Sequence, residues 1–222
     1  MRPYQTCRDP RTVRQHAILP SSMDDYDSAT IQAILDGEVD RYAELVNRYQ
    51  GQALRLAFSL LGNYEDAKDV SQDAFVSAYR ALAHFRGQAK FSTWFYRIIV
   101  NACHDVWKRR AHQPKVVAQV GEIYSNVEED GLFVVEVVDS ATGPSDHLAN
   151  RELSAALSGA INVLPEKQRT AFILHHVHGL QLGEVATVMG CRAGTIKSHI
   201  FRATERLRLY LAPWLKQERG VR

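Results

Sequence analysis

Residues Glu184 to Ser198 constrain this chain more than any other stretch. Val185, Ala186 and Met189 share one face of a short predicted helix, and Gly190 supplies a tight turn. Ile196, Ile200, Ala203 and Leu207 then share one face of a second helix. Helices this short bury such faces only against each other and a third helix, because isolated helices of their length are marginal in water. Leu153, Leu157, Ala160, Ile161 and Leu164 supply that third stripe upstream. The arrangement is a helix-turn-helix, which lays its second helix in the major groove of DNA. Arg192, Thr195, Lys197, Ser198, His199 and Arg202, with Ala193 opening the helix, then face away from the core. The polar side chains among them are donors suited to phosphates and base edges. On this stretch alone, a helical hairpin with a solvated basic face is the alternative.

Charge distribution favours the DNA reading, although the net charge of +2 does not. Residues 113–148 carry one Lys against seven Asp and Glu, a balance of −6. Residues 149–222 carry eleven Lys and Arg against five Glu, a balance of +6. A basic block behind an acidic tether suits a nucleic-acid surface joined to a segment that must not bind duplex. Cys7, Cys103 and Cys191 are far apart and form no C-x-x-C pair, so neither a disulfide framework nor structural zinc is expected. A reducing cytoplasm is the compartment this implies. No apolar run approaches a membrane span, and the N-terminus lacks the apolar core of a signal peptide.

The expected fold class is all-α, with two small helical domains joined by an extended acidic linker. Residues 1–27 hold Pro3, Pro10 and Pro20 without sustained periodicity and read as a disordered extension, with Met23 as the expected true start. Residues 28–112 form the first domain. There Tyr42, Leu45, Val46, Tyr49, Ala53, Leu56, Leu60 and Leu61 keep i, i+3, i+4 spacing until Gly62-Asn63 stops the helix. Asn63 caps the next helix, whose apolar face is Ala67, Val70, Ala74, Phe75, Ala78 and Leu82. Ser92 or Thr93 caps a third, bearing Trp94, Ile98, Ala102 and Val106, and His112-Gln113-Pro114 ends it. Residues 113–148 are the linker. Residues 149–215 are the second domain, its helices resuming near Ser145 and breaking at Pro165, and 216–222 are a tail.

Two helices of the first domain carry chemistry. Asp66, Asp69 and Asp73, with Gln72 beside them, fall on one strip opposite the apolar face. Such a strip is either a solvated face or a docking surface for a basic partner helix, with metal binding a distant third because no histidine lies on it. The third helix mixes Phe91, Trp94, Phe95, Tyr96 and Trp107 with Lys90, Arg97, Lys108, Arg109 and Arg110. Trp94 lies on the apolar stripe, whereas Phe91, Tyr96 and Trp107 fall off it and are expected to be exposed. Rings beside cations suit single-stranded nucleic acid, since stacking a base on an aromatic is worth about 1–3 kcal/mol. That offsets the few kcal/mol needed to extrude a base. Asn101 and Asp105, one turn apart, either address a base edge or serve within the helix.

These residues resemble a known family. Tyr64 to Phe75, then Tyr79-Arg80-Ala81-Leu82 and Phe85-Arg86-Gly87, are similar to region 2 of the bacterial sigma-70 family. Phe91 to Ile98 and the spaced Asn101, Asp105, Lys108 and Arg109 continue the likeness. Leu164-Pro165-Glu166-Lys167-Gln168-Arg169 through Leu207 resembles region 4. Two such regions with only a linker between them resemble the extracytoplasmic-function group. The resemblance implies that Asp66, Asp69, Gln72 and Asp73 dock on the clamp helices of the largest subunit of core RNA polymerase. It implies a pocket for a flipped base of the −10 element, formed by the Phe85–Phe91 loop (Phe85, Arg86, Lys90 and Phe91) with Asn101 and Asp105 behind it, and it counts Trp94, Tyr96 and Arg97 among the residues that bind the −10 element. Lys108, Arg109 and Arg110 would hold the adjacent backbone. The helix from about Ala193 to Leu207 would read the −35 element while its domain sits on the flap of the second-largest subunit. The acidic linker would run through the RNA exit path, and an anti-sigma factor would be a further partner.

The chain departs from the family at three positions. Gly183 stands where an aromatic is common and weakens the start of its helix, and His199 and Thr204 replace common arginines. His175, His176 and His178 lack a nearby Cys or acid, so no metal is expected there. Adjacent Cys103 and His104 make no catalytic pair, because a nucleophile and its base must converge in space. With no P-loop, nucleophile elbow or dinucleotide fingerprint, no enzyme and no cofactor are expected. Two other readings explain part of the chain. A stand-alone helix-turn-helix regulator uses only the second domain, and a single-strand-binding protein uses only the first.

Overall fold

A computed structural model describes residues 23–112 and 156–217. Among them every regular element is helical. The first half comprises α1 (Met23–Leu35), α2 (Tyr42–Leu61), α3 (Tyr64–Ala81) and α4 (Phe91–His112). The second comprises α5 (156–162), α6 (Glu166–Phe172), α7 (Leu182–Met189) and α8 (Ala193–Gln217). The linker and the early part of the second domain, including Leu153, lie outside the described residues.

Local chemistry sets the helix ends. Gly62 closes α2 at φ 68° and returns its N–H to the Phe58 carbonyl at 2.8 Å, the left-handed position that glycine occupies without Cβ strain. The Asn63 side chain then accepts the Asp66 N–H at 2.9 Å and caps α3. The break at Pro165 is found, with α6 opening at Glu166. Its last turn relaxes into a π turn over Ile173–Val177, where the His178 N–H reaches back five residues to the Ile173 carbonyl. Gly183 is helical in α7 despite its low propensity. A reciprocal cap offsets that cost, the Gln181 N–H donating to Glu184 Oε2 at 2.9 Å.

The core of the first half is the expected stripe of α2 (Leu45, Tyr49, Ala53, Leu56 and Leu60) against Ala67, Val70, Ala74 and Ala78 of α3. The α4 contribution differs from the expectation. Phe91, Phe95, Ile99, Cys103 and Val106 are buried, whereas Trp94, Ile98 and Ala102 are only half-buried. Burial pushes the Cys103 thiol up to about 12, which leaves it an inert apolar side chain. The lower domain boundary also moves. Residues 23–27 are helical, and Asp27, 1% exposed, accepts hydrogen bonds from the Arg48 guanidinium and the Tyr49 hydroxyl. A buried carboxylate so satisfied is part of the domain, not of an extension. At the other end, Lys216 and Gln217 belong to α8 and not to a tail.

In the second half, Val185 and Val188 of α7 and Ile196 of α8 are buried in the helix-turn-helix. Ala160 and Leu164 pack on Ala203 and Leu207 farther along α8. Gly190, at φ 63°, makes the turn between α7 and α8.

The two helical domains meet along a seam. One apolar core runs from α2 and α4 into Leu174, Leu180, Val185 and Ile196. Polar contacts edge this seam. His104 Nδ1 lies 3.1 Å from Glu166, Lys90 lies 4.0 Å from Glu184, and the Arg169 guanidinium sits 5.2 Å from the centre of the Trp107 ring. Tyr96 donates to Gln52 at 3.1 Å and meets the His178 ring edge-on at 6.2 Å.

His178 makes the seam pH-dependent. Burial, reinforced by the nearby Arg55 cation, lowers its imidazole to about 4 from an ordinary 6.5, and its buried Nε2 has no hydrogen-bond partner among the described residues. The folded chain therefore binds fewer protons here than the unfolded chain. The corresponding stability is complete above pH 6.5 and is lost as pH falls from 6.5 towards 4. Melting curves at about pH 7.5 and about pH 5 are expected to show a drop for the natural chain that is smaller in His178→Gln. Equal drops in both would remove His178 from the account.

Candidate nucleic-acid interface

Three surfaces emerge from this fold. The first is the outer face of α3, where Asp69, Gln72 and Asp73 are exposed opposite the buried Ala67, Val70 and Ala74. Asp66 shares the strip but not its freedom. It is half-buried, its N–H is held by Asn63, and its carboxylate accepts from Arg110 at the far end of α4.

The second surface is a polar strip along α4. Arg97, Asn101, Asp105 and Lys108 recur at helical spacing and are all exposed, as are Arg86, Lys90, Arg109 and Arg110. Lys108 pairs with Asp105 at 3.3 Å. Two expected members are not on this strip. Phe91 is 2% exposed and stacks on Phe95 with ring centres 5.8 Å apart, and Tyr96 is 7% exposed and turned towards Gln52 and His178. Neither offers a face to a base. Trp107 is half-buried under Arg169 instead of being open. The rings left for stacking are Phe85 and Trp94, both half-buried with centres 5.3 Å apart. They rest on Phe91, at 5.9 and 5.6 Å respectively. Phe91 therefore supports the aromatic platform from beneath.

The third surface is the N-terminal part of α8. Arg192, Ala193, Thr195, Lys197, Ser198 and Arg202 are exposed and His199 is half-buried, while Ile196 and Ala203 anchor the opposite face. The unpaired N–H groups of a helix start add a partial positive charge suited to phosphate. Burial lowers the His199 imidazole, and Lys167 and Arg202 lower it further. It thus stands as a neutral hydrogen-bonding group within a cationic face. Lys167, on α6, is a member that spacing along the helix-turn-helix does not reveal, since it reaches His199 only through the fold.

A helix-turn-helix beside a second helical unit with two half-buried rings at its surface and a polar helix face fits a protein that meets both duplex and single-stranded DNA. Comparison with known proteins narrows the class. Residues 45–113 match the Sigma-70 region 2 model, and residues 154–207 match that of Sigma-70, region 4. The chain is 34% identical to the RNA polymerase sigma-H factor of Pseudomonas aeruginosa over 86% of its own length and 96% of that protein. It is 31% identical to the ECF RNA polymerase sigma factor SigW of Bacillus subtilis, over 82% and 94% of the two chains. Its fold matches the solved structure of CnrH in complex with the cytosolic domain of CnrY at a TM-score of 0.60 and 21% identity, covering 84% of this chain and 97% of that one. The chain belongs to the sigma-70 family of transcription initiation factors, within its extracytoplasmic-function group.

Proposed function

We propose that the chain binds core RNA polymerase through α3, reads the −35 element with the N-terminal part of α8 and captures the melted −10 strand along α4. The observation that carries this reading is the simultaneous exposure of the Asp69–Gln72–Asp73 strip, the Arg97–Asn101–Asp105–Lys108 strip and the Arg192–Arg202 face. A stand-alone regulator needs only the last of these. Asn101 offers an amide with both donor and acceptor to a base edge, and Phe85 and Trp94 supply the stacking surface. Arg109 neutralises adjacent phosphate, joined by Lys108 and Arg110 once phosphate displaces their acids. In this reading the chain catalyses nothing itself, acts in the cytoplasm and is restrained by an anti-sigma factor. None of its described helices is long and apolar enough to cross a membrane.

The test is in vitro transcription with bacterial core polymerase on a pool of randomised promoters. Initiation that requires the chain and enriches paired −35 and −10 sequences is the expected result. Duplex binding by the chain alone, with no stimulation of polymerase, would favour the stand-alone regulator.

A further inference from the structure

The outer strip of α3 and the basic end of α4 share one ion pair. Arg110 leaves the last turn of α4 and donates to the Asp66 carboxylate in the first turn of α3. Both ends suit their charges, because a helix N-terminus favours an acid and a C-terminus a base. The side chains are 44% and 37% exposed, so solvent and competing ions reach the pair. Lys108, two residues before, is likewise held by Asp105 at 3.3 Å. The basic end of α4 therefore carries its own counter-ions. A phosphate arriving at Lys108 or Arg110 must displace a carboxylate, and an exposed pair is weak enough for such exchange.

We propose that Asp66 is a positioning residue that holds Arg110 back from DNA and releases it when a basic partner surface engages the α3 strip. This rests on the reading of α3 as the polymerase-docking strip and of α4 as the single-strand surface. Asp66 is the only one of the three strip acids that is paired to α4 among the described residues. A cationic helix laid over Asp69 and Asp73 competes for the neighbouring Asp66 carboxylate. Arg110 then recovers its full charge for phosphate. Since binding free energies are linked, DNA on Arg110 equally frees Asp66 for the partner, and the two ligands reinforce each other. Asp66 thus acts through Arg110.

The experiment measures binding of a fluorescent single-stranded oligonucleotide to the full chain across a salt series, without polymerase. Asp66→Asn is expected to tighten binding roughly two- to fivefold, the range of a released exposed pair. It should also steepen the dependence of log K on log salt by up to about 0.7, the increment for one added phosphate contact on a single strand. In an Arg110→Ala background the same change should have no effect. Asp69→Asn removes an equal charge from the strip without touching Arg110 and should move binding less than Asp66→Asn does. Asp66→Glu, which keeps the charge, should behave like the natural chain and guards against misfolding of the asparagine variant. Equal tightening by Asp66→Asn with and without Arg110, or weaker binding, overturns the inference. If that happens while the chain still drives promoter-specific initiation, the exchange fails but the functional reading stands. Absence of polymerase stimulation removes the functional reading itself.

Discussion

Replacing Phe91 by alanine is expected to destabilise the whole fold and not simply to remove a base-stacking ring. Phe91 is 2% exposed and touches Tyr49, Phe85, Trp94 and Phe95, with ring centres 5.2–5.9 Å apart. Truncating a buried phenylalanine costs about 3–5 kcal/mol, from lost transfer energy plus the cavity left behind. A domain whose total stability is about 5–15 kcal/mol has little left after that loss. Circular dichroism should show a large fall in melting temperature, with polymerase and DNA binding lost together. Trp94→Ala is the contrasting variant. Its ring is half-buried at the platform edge, so it should keep most of the fold while weakening single-strand binding. A Phe91→Ala protein that melts like the natural chain yet fails to melt promoters would restore Phe91 to the DNA surface.

Removing both exposed acids of α3, in the double variant Asp69→Ala with Asp73→Ala, is expected to weaken binding to core polymerase by roughly ten- to hundredfold, the loss typical of truncating charges that pair across an interface. Both side chains project into solvent from a helix whose opposite face carries the packing. The melting curve should therefore stay within about 0.5 kcal/mol of the natural chain, as for other surface changes. Equilibrium titration of labelled protein with core enzyme measures the loss. Unchanged affinity would mean that this strip is an ordinary solvated face, the alternative the sequence leaves open.

The elements that a single chain reports well are those whose cause is local. The stripe from Leu45 to Leu60, the Asn63 cap, the break at Pro165 and the turn at Gly190 all follow from spacing or backbone chemistry within a few residues. The helix-turn-helix face of α8 is legible for the same reason. Errors collect on α4, and the reason is geometric. This helix is covered on two sides, by α2 and α3 through Phe91, Phe95 and Ile99, and by the second half through Tyr96, His104 and Trp107. A helix buried on two faces does not show the single apolar stripe on which the reading of Phe91 and Tyr96 depends. Distance along the chain hides the remainder. Asp66 and Arg110 stand 44 residues apart, and Asp27 and Arg48 stand 21 apart. A charged residue at position 27 therefore looks like part of a polar leader until its partner is seen. Of the exposed strip from Arg97 to Lys108, the sequence reports only the one-turn spacing of Asn101 and Asp105, because their shared face depends on helical period alone.

The seam between the halves bears on how the molecule comes apart. A core continuous from Leu56 in α2 to Ile196 in α8 makes each family module part of the other's solvent shield. Opening the seam exposes Tyr96 and Leu180 to water together, so loss of order in one module is felt by its neighbour as lost burial. Heating should consequently yield one cooperative transition instead of two, and damage in α2 should loosen amide protection in the distant reading helix. The chain carries two recognition modules but is expected to behave thermally as one cooperative unit.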